Sequence, residues 1–423
     1  MSMTITEKII AAHAGLTHVK PGEIVTVDVD LGMANELATA GAIPLLESLK
    51  SKKKFHNPKA AVIVADHYTP ARDIDAARML KKIRDYYSQH GAIILEMGYG
   101  GIEHVVIPEQ GYALPGQIII AADSHTTTYG ALGAFSTGVG TTDLAAVWAT
   151  GKTWLKVPET LLVEFRGKRK PWVSGRDFIQ YLLGKIGTDG ARYRAIEFRG
   201  EAVDGLTMAD RFTMSNLSVE GGAKNAIFHV DDKTVEYVKG ASDKDYHIYS
   251  SDEDAHYSEK LVFDAGEIDL QVALPHSPDN VAPISQAVGV KIDQVIIGSC
   301  ANGRIEDLRI AAEILRGKTI ASNTRCIVIP GSQRVFLQAD REGVIEALLS
   351  ARCVVAAPTC GPCVGGYMGI LGPGETCLST TTRNFRGRLG DSASQVYLAS
   401  PAVAAATALA GVIAPPSQSP QQA

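Results

Sequence analysis

Three of the chain's six cysteines stand where a metal centre could be built. Cys360 and Cys363 are separated only by Gly361 and Pro362, in a Gly/Pro-rich turn directly after the apolar run Cys353-Val-Val-Ala-Ala-Pro358. Cys300 ends a second apolar run, Val295-Ile-Ile-Gly-Ser-Cys300. One thiol plus a C-x-x-C is the smallest set that can hold a 4Fe–4S cluster while leaving one iron without a protein ligand. Other chemistry fits the same pair. C-G-P-C is also the redox motif of thioredoxin-like proteins, where the second thiol lies in the opening turns of a helix; here Val364-Gly-Gly-Tyr-Met-Gly369 follows, a poor helix start. Structural zinc and electron-transfer clusters each need four ligands, for which Cys326, Cys353 or Cys377 is the available fourth thiol. Cys326 and Cys353 lie in strand-like runs, where a free cysteine usually acts as a small hydrophobe. Three thiolates at strand ends favour the site-open cluster among these alternatives.

The elements that would position the thiols follow one grammar. Apolar runs of strand length end in a small polar cluster, and an amphipathic helical segment follows. Ala60-Ala-Val-Ile-Val-Ala65 leads into Asp66-His67, and a helix from Asp73 to His90 is stopped by Gly91. Ile118-Ile-Ile-Ala-Ala122 leads into Asp123-Ser-His125, with a helix expected from about Asp143 to Leu155. Val295–Ser299 leads into Cys300 and a helix over Ile305–Lys318; Cys353–Ala357 leads into Thr359-Cys360. A shorter helix is expected at the start, with Thr6 as its cap and Gly15 closing it. The alternation predicts an α/β fold of parallel-rich sheets flanked by helices. Ligands in such folds bind beyond the carboxyl ends of the strands, the end to which all four runs deliver their reactive side chains.

Composition narrows the function classes. The chain has 423 residues, 45% of them hydrophobic and 21% charged, which predicts two to four domains of an ordinary globular protein. A net charge of −5 gives no global attraction for nucleic acid or an acidic membrane, so an anionic substrate would depend on local arginines. The N-terminus has no secretory pattern, and the Ala-rich Ala402–Ala414 stretch is too short to span a bilayer and reads as a packed helix. Reduced thiols in the cytoplasm are expected. Domains are expected at 1–158, 159–284 and 285–423, with an exposed charged loop over Ser242–His256 and a disordered tail from about Ala414.

The segments around these residues resemble the aconitase superfamily. Gly298-Ser-Cys-Ala-Asn-Gly-Arg-Ile-Glu-Asp-Leu308 and Thr359-Cys-Gly-Pro-Cys-Val-Gly-Gly366 are similar to its two cluster-binding signatures. Ala65-Asp-His67, Gly101-Ile-Glu-His104, Ala122-Asp-Ser-His-Thr126 and Arg383-Asn-Phe-Arg-Gly-Arg388 look like its other active-site segments, in the family's order. The likeness runs from Glu7 to about Ala410. By length and segment style the chain is most similar to the large subunits of the isopropylmalate dehydratase and homoaconitase branch, which lack the C-terminal swivel domain.

That resemblance implies a hydro-lyase that reversibly dehydrates a hydroxy acid. It implies that Cys300, Cys360 and Cys363 hold one 4Fe–4S cluster with one iron lacking a protein ligand. His67, with Asp66, would help protonate the departing hydroxyl; Asp123 and His104 would form a carboxylate–imidazole pair, and His125 a further contact near the water. Arg383 and Arg388 would clamp substrate carboxylates. Asn35 and Ser124 would contact substrate, and Asn216 and Glu220, at i and i+4 of one helix face, would serve the substrate and the catalytic chemistry respectively. A strand-end Asp can equally cap the segment that follows it.

The chain departs from the family pattern at Glu36, where relatives often carry Asp; at Thr382, where Asn is usual; and at Ala301, where Thr is common. The substituted Thr382 is expected to lose a hydrogen bond near the cluster or substrate. A separate small subunit would supply the catalytic serine base and the specificity loop. Isopropylmalate is the first substrate expectation. Homoaconitate, dimethylmalate, citramalate and maleate are the alternatives, and an iron-sensing, RNA-binding relative is the non-enzymatic one, disfavoured by charge and the absence of basic–aromatic interleaving.

Overall fold

The computed structural model describes residues 2–417; Met1 and residues 418–423, including the end of the Pro-rich tail, lie outside the described residues. The first block contains strands β1 (Ile24–Asp28), β2 (Leu31–Asn35), β3 (Ala61–Val64), β4 (Ile93–Leu95), β5 (Ile118–Ala121), β6 (Phe135–Gly138) and β7 (Lys152–Lys156). A parallel sheet runs in the order β4-β3-β2-β5-β6, and β1 pairs antiparallel with β7 beside it. Successive strand residues face opposite sides of a sheet, and both sides are apolar here. Leu31, Met33, Val62, Val64 and Ile119 enter the core shared with the second block. Ala34, Ala61, Ile63, Ile118 and Ile120 pack with Ile43, Leu46 and Tyr87 of the helices Glu36–Ser48 and Ile74–His90.

The second block is a parallel sheet of β8 (Thr160–Arg166), β9 (Ala195–Arg199), β10 (Asn225–Phe228) and β11 (Glu259–Asp264) in the order β10-β9-β8-β11. The third contains β12 (Gln271–Ala273), β13 (Val281–Pro283), β14 (Gln294–Gly298), β15 (Arg325–Ile329), β16 (Val354–Val355), β17 (Thr376–Ser379) and β18 (Gln395–Leu398). Its order is β13-β12-β18-β17-β14-β15-β16, parallel from β18 to β16. The antiparallel strands β13, at the edge, and β12 beside it belong to this third sheet, although they precede residue 284. The helix Pro401–Ala410 buries Ala402, Val403, Ala405 and Ala408 in the same core. The expected α/β architecture is present in all three blocks.

Local differences from the sequence reading have local causes. The first helix, Ile5–His13, is capped by Thr4 rather than Thr6, in a capping box with Glu7. The helix over Thr141–Thr150 stops at Gly151 in the left-handed region, and Lys152–Lys156 becomes β7 instead of continuing to Leu155. The third-block helix ends at Leu315, short of Lys318. The charged 242–256 stretch is irregular and largely exposed, as expected, yet it holds the N-terminus: Met3 N–H donates to Asp252 at 2.8 Å and Ile5 N–H to Ser251 Oγ at 2.7 Å.

Candidate active site

The carboxyl ends of β2, β3, β5, β14 and β16 converge on one cavity of about 270 Å³. Asn35, His67, His104, Asp123, Ser124, His125, Cys300, Cys360, Cys363, Arg383 and Arg388 line it. Asp66, Asn216 and Glu220 stand behind that lining, all buried.

The backbone aims the thiols. Gly298 (φ +136) and Ser299 (φ +83) both leave the region L side chains favour, turning the chain sharply at the end of β14 to bring Cys300 inward. A Cβ at position 298 would lie 2.3 Å from the Ile329 carbonyl oxygen, so only glycine fits. Gly361 and Val364 bound a single 3₁₀ turn that ends at Gly365 in the left-handed region; no α-helix follows the C-x-x-C, contrary to the thioredoxin arrangement. The turn abuts the Asp66-His67 turn: Cys360 N–H donates to the Asp66 carbonyl at 2.7 Å, and so does the Thr359 hydroxyl.

The three sulfurs share one environment. Proximity to Cys300 and Cys363, together with burial, pushes the Cys360 thiol well above the ordinary range. The neighbouring Cys360 outweighs burial and, with the charge of His125, draws the Cys300 thiol down to about 6. Cys363 is held well below the thiol range by Cys360, against burial, with help from Arg388 and Thr382. Cys326 and Cys353 neighbour each other away from the cavity, and Cys377 lies on β17, so none of the three lines the cavity as a fourth ligand. Three convergent thiols fit a 4Fe–4S cluster, the group the family described below implies.

Each histidine is locked by a carboxyl group. His67 Nδ1 is 2.6 Å from Asp66 Oδ1. Burial works against its charge, but Asp66, through charge and hydrogen bond, with Glu36 and Asp123 adding, pushes the imidazole up to about 10. His104 Nε2 bonds Asp123 Oδ1 at 2.8 Å and its Nδ1 lies 3.0 Å from the Tyr129 hydroxyl. Burial opposes ionisation of Asp123, yet the hydrogen bond and charge of His104, then His125 and His67, hold it well below the carboxylate range. His125 Nε2 bonds Glu220 Oε1 at 2.8 Å. Against burial, that bond raises the imidazole and lowers the carboxylate. A carboxylate partner fixes ring orientation and tautomer together.

Asn216 and Glu220 do not share one α-helix face. The helix Met208–Leu217 gives way to a 3₁₀ turn over Ser218–Gly221, because Gly221 and Gly222 terminate it. Both side chains still face the site. Asn216 Oδ1 lies 3.8 Å from Cys300 Sγ, and Glu220 Oε1 accepts Arg383 Nε at 2.7 Å. Arg388 Nε donates to the Cys363 carbonyl at 2.9 Å. Thr382 keeps a polar contact despite its shorter side chain, its hydroxyl 3.5 Å from Cys363 Sγ.

Three contributors carried no sequence signal for their role. Glu36, noted only as a departure from Asp, is fully buried and accepts the backbone N–H groups of Asp66 (3.0 Å), His67 (2.8 Å) and Tyr68, fixing the turn that presents His67. Arg304 joins Cys300 to the first block, donating to the Cys300 carbonyl at 3.1 Å and the His104 carbonyl at 2.9 Å. Arg176, on the helix Gly175–Ile186, reaches the Thr380 and Thr381 carbonyls at 3.0 and 2.8 Å and Asn302 Oδ1 at 3.1 Å.

A three-thiol cavity ringed by carboxylate–imidazole pairs in an α/β frame defines a class, and the chain belongs to it: residues 7–411 match the aconitase family (aconitate hydratase), a family of hydro-lyases. More particularly, the chain is 54% identical to the 3-isopropylmalate dehydratase large subunit of Moorella thermoacetica, over 99% of both chains. It is 51% identical to the protein of that name from Clostridium kluyveri, over 99% of this chain and all of the other, and 51% identical to that of Hydrogenobaculum sp., over 99% and 98%. Among solved structures it is similar in fold to Thermococcus kodakaraensis aconitase X (holo-form), with a TM-score of 0.50 and 16% identity over 92% of this chain and 98% of that one. No helix among the described residues is long and apolar enough to cross a membrane.

Proposed function

We propose that the chain is the cluster-bearing large subunit of a 3-isopropylmalate dehydratase, interconverting 2- and 3-isopropylmalate through the alkene with a separate small subunit. The reading is carried by one observation: three thiols and three paired histidines face one cavity in a chain that matches proteins of that name from end to end.

Cys300, Cys360 and Cys363 would hold the cluster. When bound, it supplies an iron without a protein ligand, a Lewis acid toward a hydroxyl group. Arg383 and Arg388 bind the substrate's carboxylates, their Nε atoms anchored on Glu220 and the Cys363 carbonyl. Asn35 and Ser124 orient the rest of the acid. His67 carries a proton at neutral pH, and with Nδ1 tied to Asp66 it gives up that proton from Nε2 to the departing hydroxyl. The His104–Asp123 and His125–Glu220 pairs hold the water and its proton in place. The base that removes the carbon-bound proton is a serine of the small subunit, which also reads the substrate's side group.

Oxygen-free co-purification with a small subunit tests this. Iron and acid-labile sulfide in equal amounts, with turnover of 3-isopropylmalate above homoaconitate, dimethylmalate and maleate, is the expected result. Preference for one of the other acids would reassign the substrate. Zinc without sulfide would overturn the cluster.

A further inference from the structure

Glu103 is a buried carboxyl to which the mechanism above gives no task. It is 1% exposed and lines the cavity beside Asn35, His67 and His104. Its backbone N–H is committed to Asp66 Oδ2 at 2.8 Å. Oε1 receives Asn35 Nδ2 at 3.5 Å and lies 3.6 Å from His104 Nε2. Oε2 has no hydrogen-bond partner among the described residues. An oxygen left unpaired in a protein interior is destabilising, and the residue that carries it borders the cavity.

The surroundings decide what that oxygen offers. Asp66, Asp123, Glu36, His67, His104 and Tyr129 surround Glu103, and ligand atoms of His67, Glu103 and Asp123 lie within 4.8 Å of one another. Asp123 keeps its charge through His104 and His125. Burial first, then the charges of Asp123 and Asp66, favour the neutral form of Glu103. A neutral carboxyl is a hydrogen-bond donor as well as an acceptor. In a cavity that must admit an anion past several carboxylates, it supplies a donor without adding negative charge.

We propose that Glu103 is a further substrate-binding residue, its carboxyl group donating a hydrogen bond to a carboxylate oxygen of the bound hydroxy acid. This rests on the hydro-lyase reading. Loss of a hydrogen bond to an anion raises KM by roughly 10- to 100-fold.

The test uses the cluster-loaded complex with its small subunit and 3-isopropylmalate. Glu103→Ala is expected to raise KM by that factor with a smaller change in kcat and an unchanged cluster absorbance. Glu103→Gln, whose amide also donates and carries no charge, restores KM to within about threefold. Infrared difference spectra on adding substrate should show a neutral-carboxyl band shifting in the wild type and missing in E103Q. Unchanged KM in E103A, KM loss in E103Q equal to that in E103A, or absence of the band each overturns the proposal. If E103A loses its cluster, the infrared comparison of wild type with E103Q decides. A wild-type complex that binds the acid without turning it over defeats the hydro-lyase reading alone, and calorimetric affinities of the same variants then decide Glu103.

Discussion

The Cys360 N–H donates to the Asp66 carbonyl oxygen at 2.7 Å, which makes the thiol turn of the third block and the Asp66-His67 turn of the first a single hydrogen-bonded unit. Thr359 doubles the link, its hydroxyl donating to the same carbonyl and accepting Gly361 N–H at 3.1 Å. Gly361 is what allows the approach, since a Cβ there would lie 2.8 Å from the His67 carbonyl oxygen. The turn proposed to hold metal and the turn proposed to donate a proton therefore share one scaffold.

Thr359→Val keeps the shape of that scaffold and removes its hydroxyl. Two buried backbone groups lose a partner, at a cost of about 1–3 kcal/mol. The expected result is a lower melting temperature and faster bleaching of cluster absorbance in air. Bleaching at the wild-type rate would mean that the link does not steady the thiols.

The Glu36 carboxylate spans three successive N–H groups, so its effect on His67 is positional. Glu36→Asp withdraws the acceptor by one methylene. A displacement of about 1 Å in a catalytic group can cost on the order of 100-fold in rate. We expect kcat to fall by roughly 10- to 100-fold with KM nearly unchanged, because Glu36 does not line the cavity. Equal loss in KM would place the defect in substrate binding.

Much of this frame was legible from residue order. Runs such as Ile118–Ala121 are apolar at every position because both sheet faces are covered, and each ends where a parallel strand must deliver its chemistry. Glu36 and Glu103 were not legible, because accepting backbone N–H groups or standing unpaired in a cavity depends on segments far apart in the chain and leaves no period. Lys152–Lys156 was misread as helix because its apolar residues suit either period, while Gly151 carried the stop. Asn216 and Glu220 matched helical spacing, yet the helix ends between them.

Charge at His67 gives a pH signature. Its folded-state pKa, near 10, lies above the ordinary histidine value of 6.5. The stabilisation from the His67–Asp66 pair is therefore complete below about 6.5 and is lost as pH rises through about 10. Asp66→Asn removes the opposite charge and leaves burial acting downward, lowering the imidazole by roughly 1–3 units. The alkaline limb of kcat, and the His67 ring resonances, should move toward neutral pH in D66N. An unmoved limb would assign it to another group.

Iron content separates the three cavity thiols from the other three. Serine at Cys300, Cys360 or Cys363 replaces a thiolate with a poor ligand for iron, and each variant should lose most of its iron and sulfide. Cys377, fully buried on β17, provides the control. Cys377→Ala leaves only a small cavity, costing about 1 kcal/mol, and should keep iron and sulfide at the wild-type ratio. If C377A lost the cluster while C360S kept it, the metal would have to sit on β17 rather than at the ends of β14 and β16, where the acid–base pairs could not reach it.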